Sequence, residues 1–176
     1  MTAAKARYVM VGGFLGAGKT TSILRLADWL TARGLRVGLV TNDQGGGLVD
    51  TALAAAHRMP VEEIVGGCFC CRFTSLVEAA ESLVRETAPD VLIAEPVGSC
   101  TDLVATVTLP LEQIYGDRFT VAPMSVVVDP LRAEHSRMAA CGFTAARVAR
   151  SRSSRGASTR SHLLMAMISA SSSCLR

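Results

Sequence analysis

A glycine-rich segment near the start of the chain carries a lysine and a threonine at a spacing that suits phosphate chemistry. Gly13–Thr20 reads Gly-Phe-Leu-Gly-Ala-Gly-Lys-Thr and fits the pattern G-x-x-x-x-G-K-[ST] in full. Glycines let successive backbone N–H groups turn toward phosphate oxygens, and a following helix N-terminus adds partial positive charge. The pattern predicts a P-loop that binds a purine nucleoside triphosphate with Mg²⁺; the alternative is a glycine-rich turn that binds nothing.

The side chains of this loop have separate predicted roles. Lys19 can reach the β- and γ-phosphates, and the Thr20 hydroxyl can ligate Mg²⁺. A Rossmann fingerprint does not fit, because Thr21 stands where a third glycine or alanine would be required. The residues predicted to contact the nucleotide in and after this loop are Gly13, Gly16, Ala17, Gly18, Lys19, Thr20 and Thr21.

A later apolar run ends in the carboxylate that a P-loop site needs. Val91-Leu-Ile-Ala leads directly into Glu95, and a carboxylate at the end of a strand can hold the Mg²⁺ shell. Gly98 could offer its backbone N–H to the γ-phosphate and so respond to hydrolysis. We therefore predict that Glu95 and Gly98 line the same site, and the alternative is an exposed glutamate at a strand end.

Three cysteines, Cys68, Cys70 and Cys71, lie within four residues of one another. Thiolates are soft ligands that suit Zn²⁺ or Cu(I) at about 2.3 Å. A fourth position would stay open for His57, Cys100 or an acceptor protein, which suits transient delivery better than permanent structure. Two alternatives remain: a redox C-x-x-C pair, and cysteines that simply pack in the core.

Taken together, these motifs resemble the CobW-type P-loop GTPases, which belong with the urease and hydrogenase nickel-insertion GTPases. The resemblance covers about residues 7–140 and rests on three segments: Gly13–Thr21, Gly67–Cys71 and Glu95-x-x-Gly98. It implies a GTP-binding metallochaperone or metal-insertion factor, for zinc or cobalt, that couples nucleotide hydrolysis to metal transfer.

The resemblance also implies roles for individual residues. Glu95 would bind Mg²⁺ with Thr20 and, with Gly98, form the second switch; Asn42 and Asp43 would lie in the first. The metal ion, Zn²⁺ or Co²⁺, would bind to Cys68, Cys70 and Cys71. Slow GTP hydrolysis would depend on Lys19, Asp43 and Glu95. A client metalloprotein and a homodimer across the nucleotide face are the implied partners.

The chain departs from the family pattern in several places. Asn42–Gln44 reads Asn-Asp-Gln where the family usually has Asn-Glu-Phe, and Pro96-Val97 replaces two small hydroxylic residues. The guanine-selecting Asn-Lys-x-Asp loop is absent, because Lys5 and Lys19 are the only lysines. The residues alone thus do not decide whether the chain binds GTP or ATP. The alternative functions are an ATP-dependent small-molecule kinase or ATPase, and an inactive fragment of a P-loop GTPase.

Short apolar runs alternate with helical patterns and must position these motifs. Continuous apolar strands that alternate with helices predict a parallel sheet covered on both faces. We therefore predict an α/β fold, the three-layer P-loop NTPase fold with a mostly parallel sheet and an incomplete C-terminal part. The predicted strands are Tyr8–Gly12, Val37–Thr41, Val61–Val65, Val91–Ala94 and Met124–Val128, and the predicted helices are Thr20–Ala32, Leu48–Ala56, Thr74–Thr87, Thr101–Thr108 and Pro130–Met138.

The composition changes near residue 143. Residues 1–142 are predicted to form the nucleotide-binding domain. Residues 143–176 hold nine serines, six arginines and no acidic residue. This composition predicts either a disordered basic tail or a fold interrupted by truncation or a reading-frame error. We favour the second interpretation, because the predicted sheet looks unfinished where the composition changes.

Charge and hydropathy give predictions about nucleic-acid binding, membrane association and cellular location. The net charge of +3 comes from this tail, since the other residues include 12 basic and 15 acidic ones. The body of the protein therefore gives no indication of nucleic-acid binding. No apolar run approaches the ~20 residues that span a bilayer, and the N-terminus does not resemble a signal peptide. We expect no membrane association and a cytoplasmic location, where cysteines stay reduced.

Overall fold

Short apolar runs form the strands of one sheet that is parallel except at one edge. The computed structural model describes residues 5–43, 59–129 and 166–169. Across the sheet the order is β3-β2-β4-β1, then β5 and β6 along β1, then β7. The strands are β1 (Ala6–Gly13), β2 (Val37–Asp43), β3 (Val61–Val65), β4 (Val91–Glu95), β5 (Phe119–Val121), β6 (Ser125–Val128) and β7 (Ala166–Ser169).

The central strand is β4, which is paired in parallel with β1 on one side and β2 on the other. All five of its residues, Val91–Glu95, are buried, as expected of a strand covered on both faces. Glu95 pairs with Thr41 in the register between β4 and β2. The carboxyl ends of β1, β2 and β4 therefore emerge at the same edge of the sheet.

The helices cover both faces of the sheet: α1 (Lys19–Thr31), α2 (Phe73–Thr87) and α3 (Leu109–Tyr115), the last preceded by a π-helical turn at Val104–Thr108. Side chains of α1 join one core cluster, and those of α2 and α3 join another. Leu92 belongs to the cluster with α2, and its neighbour Ile93 to the cluster with α1, since successive strand residues point to opposite faces. This arrangement confirms the predicted three layers. No helix in the described ranges combines the length and apolar character needed to cross a bilayer.

The structure differs from the predicted elements mainly after β4. The predicted helix Thr101–Thr108 is a π-helical turn at Val104–Thr108, and α3 continues it. Pro110 is the second residue of α3 and directly follows the end of the π-helical turn. At three residues, β5 is too short to show a period. The predicted helices Leu48–Ala56 and Pro130–Met138 lie outside the described residues.

Two short strands share one side of β1. β5 pairs with Ala6–Tyr8 and β6 with Val11–Gly13, both in parallel. β7 then pairs with β6 in the antiparallel direction. β7 is the only part of the predicted tail that the structure describes, so the domain boundary after residue 142 stays a prediction.

We expect the packing of β4 to dominate stability. Leu92→Ala should lower the free energy of unfolding by about 2–5 kcal/mol, because it removes buried methyl groups and leaves a cavity. The Leu92 side chain is 0% exposed, whereas Ile114 on α3 is 64% exposed. Ile114→Ala is therefore the control, with an expected change within about 0.5 kcal/mol. Urea unfolding followed by circular dichroism measures both, and equal losses would contradict this assignment of the core.

Candidate functional site

The P-loop connects the end of β1 to the start of α1, and its shape depends on glycine. Gly13, Gly16 and Gly18 have φ angles of +143°, +76° and +89°, which side chains rarely tolerate. A Cβ on Gly13 would lie 2.4 Å from the carbonyl oxygen of Val127 on β6. The loop therefore presents backbone rather than side chains, the arrangement that the sequence pattern predicts for a phosphate cradle.

The lysine of the loop is buried although it carries a charge. Lys19 is 8% exposed, and its Nζ donates a hydrogen bond to the Phe14 carbonyl at 3.3 Å. No acidic residue lies in the first turn of α1, and Gly18 provides no side-chain cap. The first N–H groups of α1 and the ammonium of Lys19 are thus suited to an anion such as a phosphate. Thr21, also predicted to contact the nucleotide, is exposed on this first turn.

The carboxylate of Glu95 and the hydroxyl of Thr20, which the sequence predicts to bind Mg²⁺, are hydrogen-bonded to each other. Thr20 Oγ1 donates to Glu95 Oε1 at 3.0 Å and lies 3.3 Å from Glu95 Oε2. Glu95 is 6% exposed, so it is not an exposed glutamate at a strand end. A hydroxyl and a carboxylate, both hard oxygen donors, adjoin the P-loop here. This donor set fits Mg²⁺.

Gly98 places the loop after β4 directly against the P-loop. A Cβ on Gly98 would lie 2.6 Å from the Leu15 nitrogen and 3.0 Å from the Phe14 carbonyl carbon. Only glycine allows this approach of two backbones. The two loops enclose a pocket of about 320 Å³ whose lining includes Lys19, Asn42, Glu95 and Gly98. The structure therefore brings together residues from three segments that the sequence predicts to share a site.

Asn42 joins this pocket to the cysteine loop, which we define as Gly66–Arg72. It lies in β2, which extends beyond the predicted end at Thr41. Its Nδ2 donates to the carbonyls of Ile64 at 2.9 Å and Gly67. Its Oδ1 is buried and accepts no hydrogen bond from the described part of the chain. The sequence gives no sign of the bond to Gly67, because 25 residues separate the two. The side chain of Asp43 lies outside the described residues.

The three predicted metal ligands form a tight cluster of thiols. The Sγ atoms of Cys68 and Cys70 are 2.9 Å apart, those of Cys68 and Cys71 are 3.0 Å apart, and those of Cys70 and Cys71 are 4.0 Å apart. Four thiolates around one Zn²⁺ at 2.3 Å would be about 3.8 Å apart, so small adjustments would suffice. The cluster is thus able to hold one thiophilic ion. The same distances are compatible with the redox alternative for Cys68 and Cys71.

Phe69 explains why these thiols do not simply fill the core. Its ring is 0% exposed in the cluster that packs on α2. Cys71 is exposed, and Cys68 and Cys70 are half-buried. The phenylalanine therefore fixes the loop in the core while the thiols remain near the surface. His57, a predicted candidate for a fourth ligand, lies outside the described residues.

The thiols differ in acidity because they lie so close together. Cys70 and then Cys71 stabilise the thiolate of Cys68 and lower its pKa to about 7. The hydrogen bond to Cys68 raises the pKa of Cys71 to about 11. Of these two thiols, Cys68 is therefore the one that ionises near neutral pH. Its thiolate is the first of the two to become available as a nucleophile or a metal ligand.

Comparison with known proteins agrees with this geometry. The family model of the CobW/HypB/UreG nucleotide-binding domain matches residues 7–170. The zinc chaperone YeiR of Escherichia coli (strain K12) is 37% identical over 93 residues, which cover 52% of this chain and 28% of that protein. The zinc chaperone CobW of Sinorhizobium sp is 34% identical over 111 residues, covering 56% and 31%. The chain thus spans about a third or less of the length of these relatives.

A solved structure supports the fold. The signal recognition particle receptor FtsY from Elizabethkingia anophelis aligns with a TM-score of 0.51 and 19% identity. The alignment covers 68% of this chain and 42% of FtsY. At that identity the likeness concerns the fold alone, and it agrees with the P-loop NTPase architecture that the sequence predicts.

The low pKa of Cys68 predicts selective alkylation. In reduced, metal-free protein, iodoacetamide should modify Cys68 with a midpoint near pH 7, because the reactive thiolate forms as pH rises through its pKa of about 7. Cys71, with a pKa of about 11, should stay mostly unmodified below pH 9. Peptide mass spectrometry from pH 6 to 9 measures both sites. Equal labelling of the two thiols across this range would contradict the assignment.

Proposed function

The chain belongs to the CobW/HypB/UreG family, and on this basis and that of the site geometry we propose that it is a GTP-binding zinc metallochaperone. The observation that carries the proposal is that Asn42, which lines the nucleotide pocket, donates a hydrogen bond to Gly67 in the cysteine loop. Three thiols favour zinc over harder ions. Both curated relatives are also named zinc chaperones. Cobalt is the second candidate cargo.

In this proposal the nucleotide phosphates lie in the cradle of Gly13–Thr20, and the Lys19 ammonium neutralises the β- and γ-phosphates. Thr20 and Glu95 would hold Mg²⁺, which when bound supplies positive charge beside the transferring phosphoryl group. The N–H of Gly98, on the loop against the P-loop, would donate to the γ-phosphate. Asp43 would add a carboxylate from the first switch to a slow hydrolysis. These residues position and neutralise the phosphates.

Asn42 supplies a physical path for coupling. Its amide holds the carbonyl of Gly67, the residue before Cys68, while its side chain borders the nucleotide pocket. A nucleotide that shifts the end of β2 would move Gly67 and change the geometry of the thiols. Such coupling between two sites is typically worth about 1–3 kcal/mol, or about 5- to 150-fold in affinity. Hydrolysis would then release the ion to a client metalloprotein.

Guanine preference rests on the family, because the sequence has no Asn-Lys-x-Asp loop. The same absence leaves open the runner-up, an ATP-dependent small-molecule kinase or ATPase with the same P-loop. This rival requires ATP to bind more tightly than GTP and the thiols to be dispensable. The client, the homodimer and the cytoplasmic location stay predictions from the resemblance and the sequence.

Removing the lysine tests the nucleotide site. Lys19→Ala should weaken GTP binding by about 10- to 150-fold, because a hydrogen bond to a charged group contributes about 1.5–3 kcal/mol. Arg25→Ala removes an exposed cation from the same helix and should leave affinity unchanged. Isothermal titration calorimetry with GTP and with ATP measures both variants. Equal affinity of wild type and Lys19→Ala would reject the site, and tighter ATP than GTP would favour the kinase or ATPase.

Coupling is tested by zinc affinity in two nucleotide states. With a non-hydrolysable GTP analogue, the zinc affinity of the wild type should differ about 5- to 150-fold from that of the nucleotide-free protein. Asn42→Ala, which loses the bond to Gly67, should reduce this ratio toward one. Glu62→Ala, on the adjoining strand β3, is the matched control and should retain it.

A chromophoric chelator in competition with the protein for zinc gives these affinities. Equal zinc affinity in both states of the wild type would reject the coupling. If Asn42→Ala kept the wild-type ratio of zinc affinities between the two nucleotide states, the path through Asn42 would be rejected. The coupling itself would still stand.

A further inference from the structure

The thiol cluster lies on a single backbone turn that leads into α2. The N–H of Arg72 donates to the Cys68 carbonyl at 2.9 Å, and α2 begins at the next residue, Phe73. Residues three apart on such a helical turn are neighbours, which suits contact between the side chains of Cys68 and Cys71. Their Sγ atoms are 3.0 Å apart. The backbone of this turn therefore brings these two thiols together.

The separation of this pair lies between the separations that two chemical states require. Sulfur atoms are about 2.05 Å apart in a disulfide and about 3.8 Å apart around one Zn²⁺. From the observed 3.0 Å, either state requires a change of about 1 Å. Cys71 is exposed, so the turn can adjust on its solvent side while Phe69 stays buried in the core. The same pair is thus close to both states.

The third thiol is less suited to a disulfide with Cys68. The Sγ of Cys70 is 2.9 Å from that of Cys68, but Cys70 packs against the core cluster that includes side chains of α2. A disulfide that closes over a single intervening residue is strained, because its torsion angle departs from the preferred range. Cys71, by contrast, is accessible to a dissolved oxidant. Geometry and access therefore favour the pair Cys68 and Cys71.

We propose that oxidation by a peroxide joins Cys68 to Cys71 and thereby releases the cargo ion, so that the cysteine loop is a redox switch. The sequence leaves metal binding and a redox pair as alternatives, and in this proposal they are two states of one cluster. Release follows because thiolates are the metal ligands, and only Cys70 remains once the other two sulfurs are bonded to each other. The release step rests on the metal-binding part of the proposed function, whereas the disulfide itself does not.

The oxidation proceeds in two steps with hydrogen peroxide as the oxidant. One thiolate attacks a peroxide oxygen, so that an S–O bond forms, the O–O bond breaks and hydroxide leaves. The second thiol then attacks the sulfur of this sulfenic acid. The S–S bond forms, the S–O bond breaks, and the hydroxyl group leaves as water with the proton of the thiol. The two sulfurs lose two electrons, which the peroxide gains, and a dithiol reductant restores both thiols by exchange.

Peptide mapping by mass spectrometry tests the pairing in the metal-free full chain. An equimolar amount of hydrogen peroxide should produce a disulfide between Cys68 and Cys71, detected as the loss of two hydrogens, while iodoacetamide still labels Cys70. Dithiothreitol should reverse the loss. Cys70→Ser should keep this disulfide, and Cys71→Ser, the same substitution at the next residue, should abolish it. A bond from Cys68 to Cys70, or sulfinic acids without any disulfide, would overturn the pairing.

Zinc release tests the switch and separates it from the proposal on which it rests. In zinc-loaded wild type, peroxide should transfer the bound Zn²⁺ to a chromophoric chelator as the disulfide forms, and reduction should restore binding. Zinc that stays bound to protein with a mapped disulfide would overturn the switch. A wild type that binds no zinc would overturn the metallochaperone proposal instead, and the peptide map would still decide the pairing. Circular dichroism of each variant establishes that a lost disulfide is not a lost fold.

Discussion

The parallel register of β1, β4 and β2 is the constraint on which the candidate site depends. β4 lies between the other two strands and is buried along its whole length. Because parallel strands end at the same edge of a sheet, the P-loop after Gly13, Asn42 near the end of β2 and Glu95 must meet there. The contact between Thr20 and Glu95 is the local result, since it joins residues 75 positions apart in the chain.

The buried charges of Lys19 and Glu95 favour the binding of a charged ligand at this edge of the sheet. Lys19 and Glu95 are 8% and 6% exposed. A charge taken out of water is costly unless partners compensate it, and here these partners are the Phe14 carbonyl and the Thr20 hydroxyl. A triphosphate with Mg²⁺ would offer the ammonium an anion and the carboxylate a cation. Burial also lowers the local dielectric constant, which would strengthen both interactions.

The cysteine loop combines a fixed point with an accessible cluster of thiols. Phe69 anchors it in the core, and Asn42 holds the carbonyl of Gly67. This hydrogen bond connects the loop to β2, whose Asn42 lines the nucleotide pocket. The proposed coupling needs this physical connection, because an effect of one ligand on another requires an element whose arrangement both can bias.

Local features of the sequence were sufficient to determine the strands β1 to β4, the helices α1 and α2, the P-loop and the three clustered cysteines. Each of these depends on a contiguous run of residues, so glycine spacing or apolar periodicity reveals it directly. The sequence did not reveal β5, whose three residues are too few for a period. Nor did it indicate the hydrogen bonds from Asn42 to Ile64 and Gly67. Those contacts join segments far apart in the chain, and only strand register and core packing bring them together.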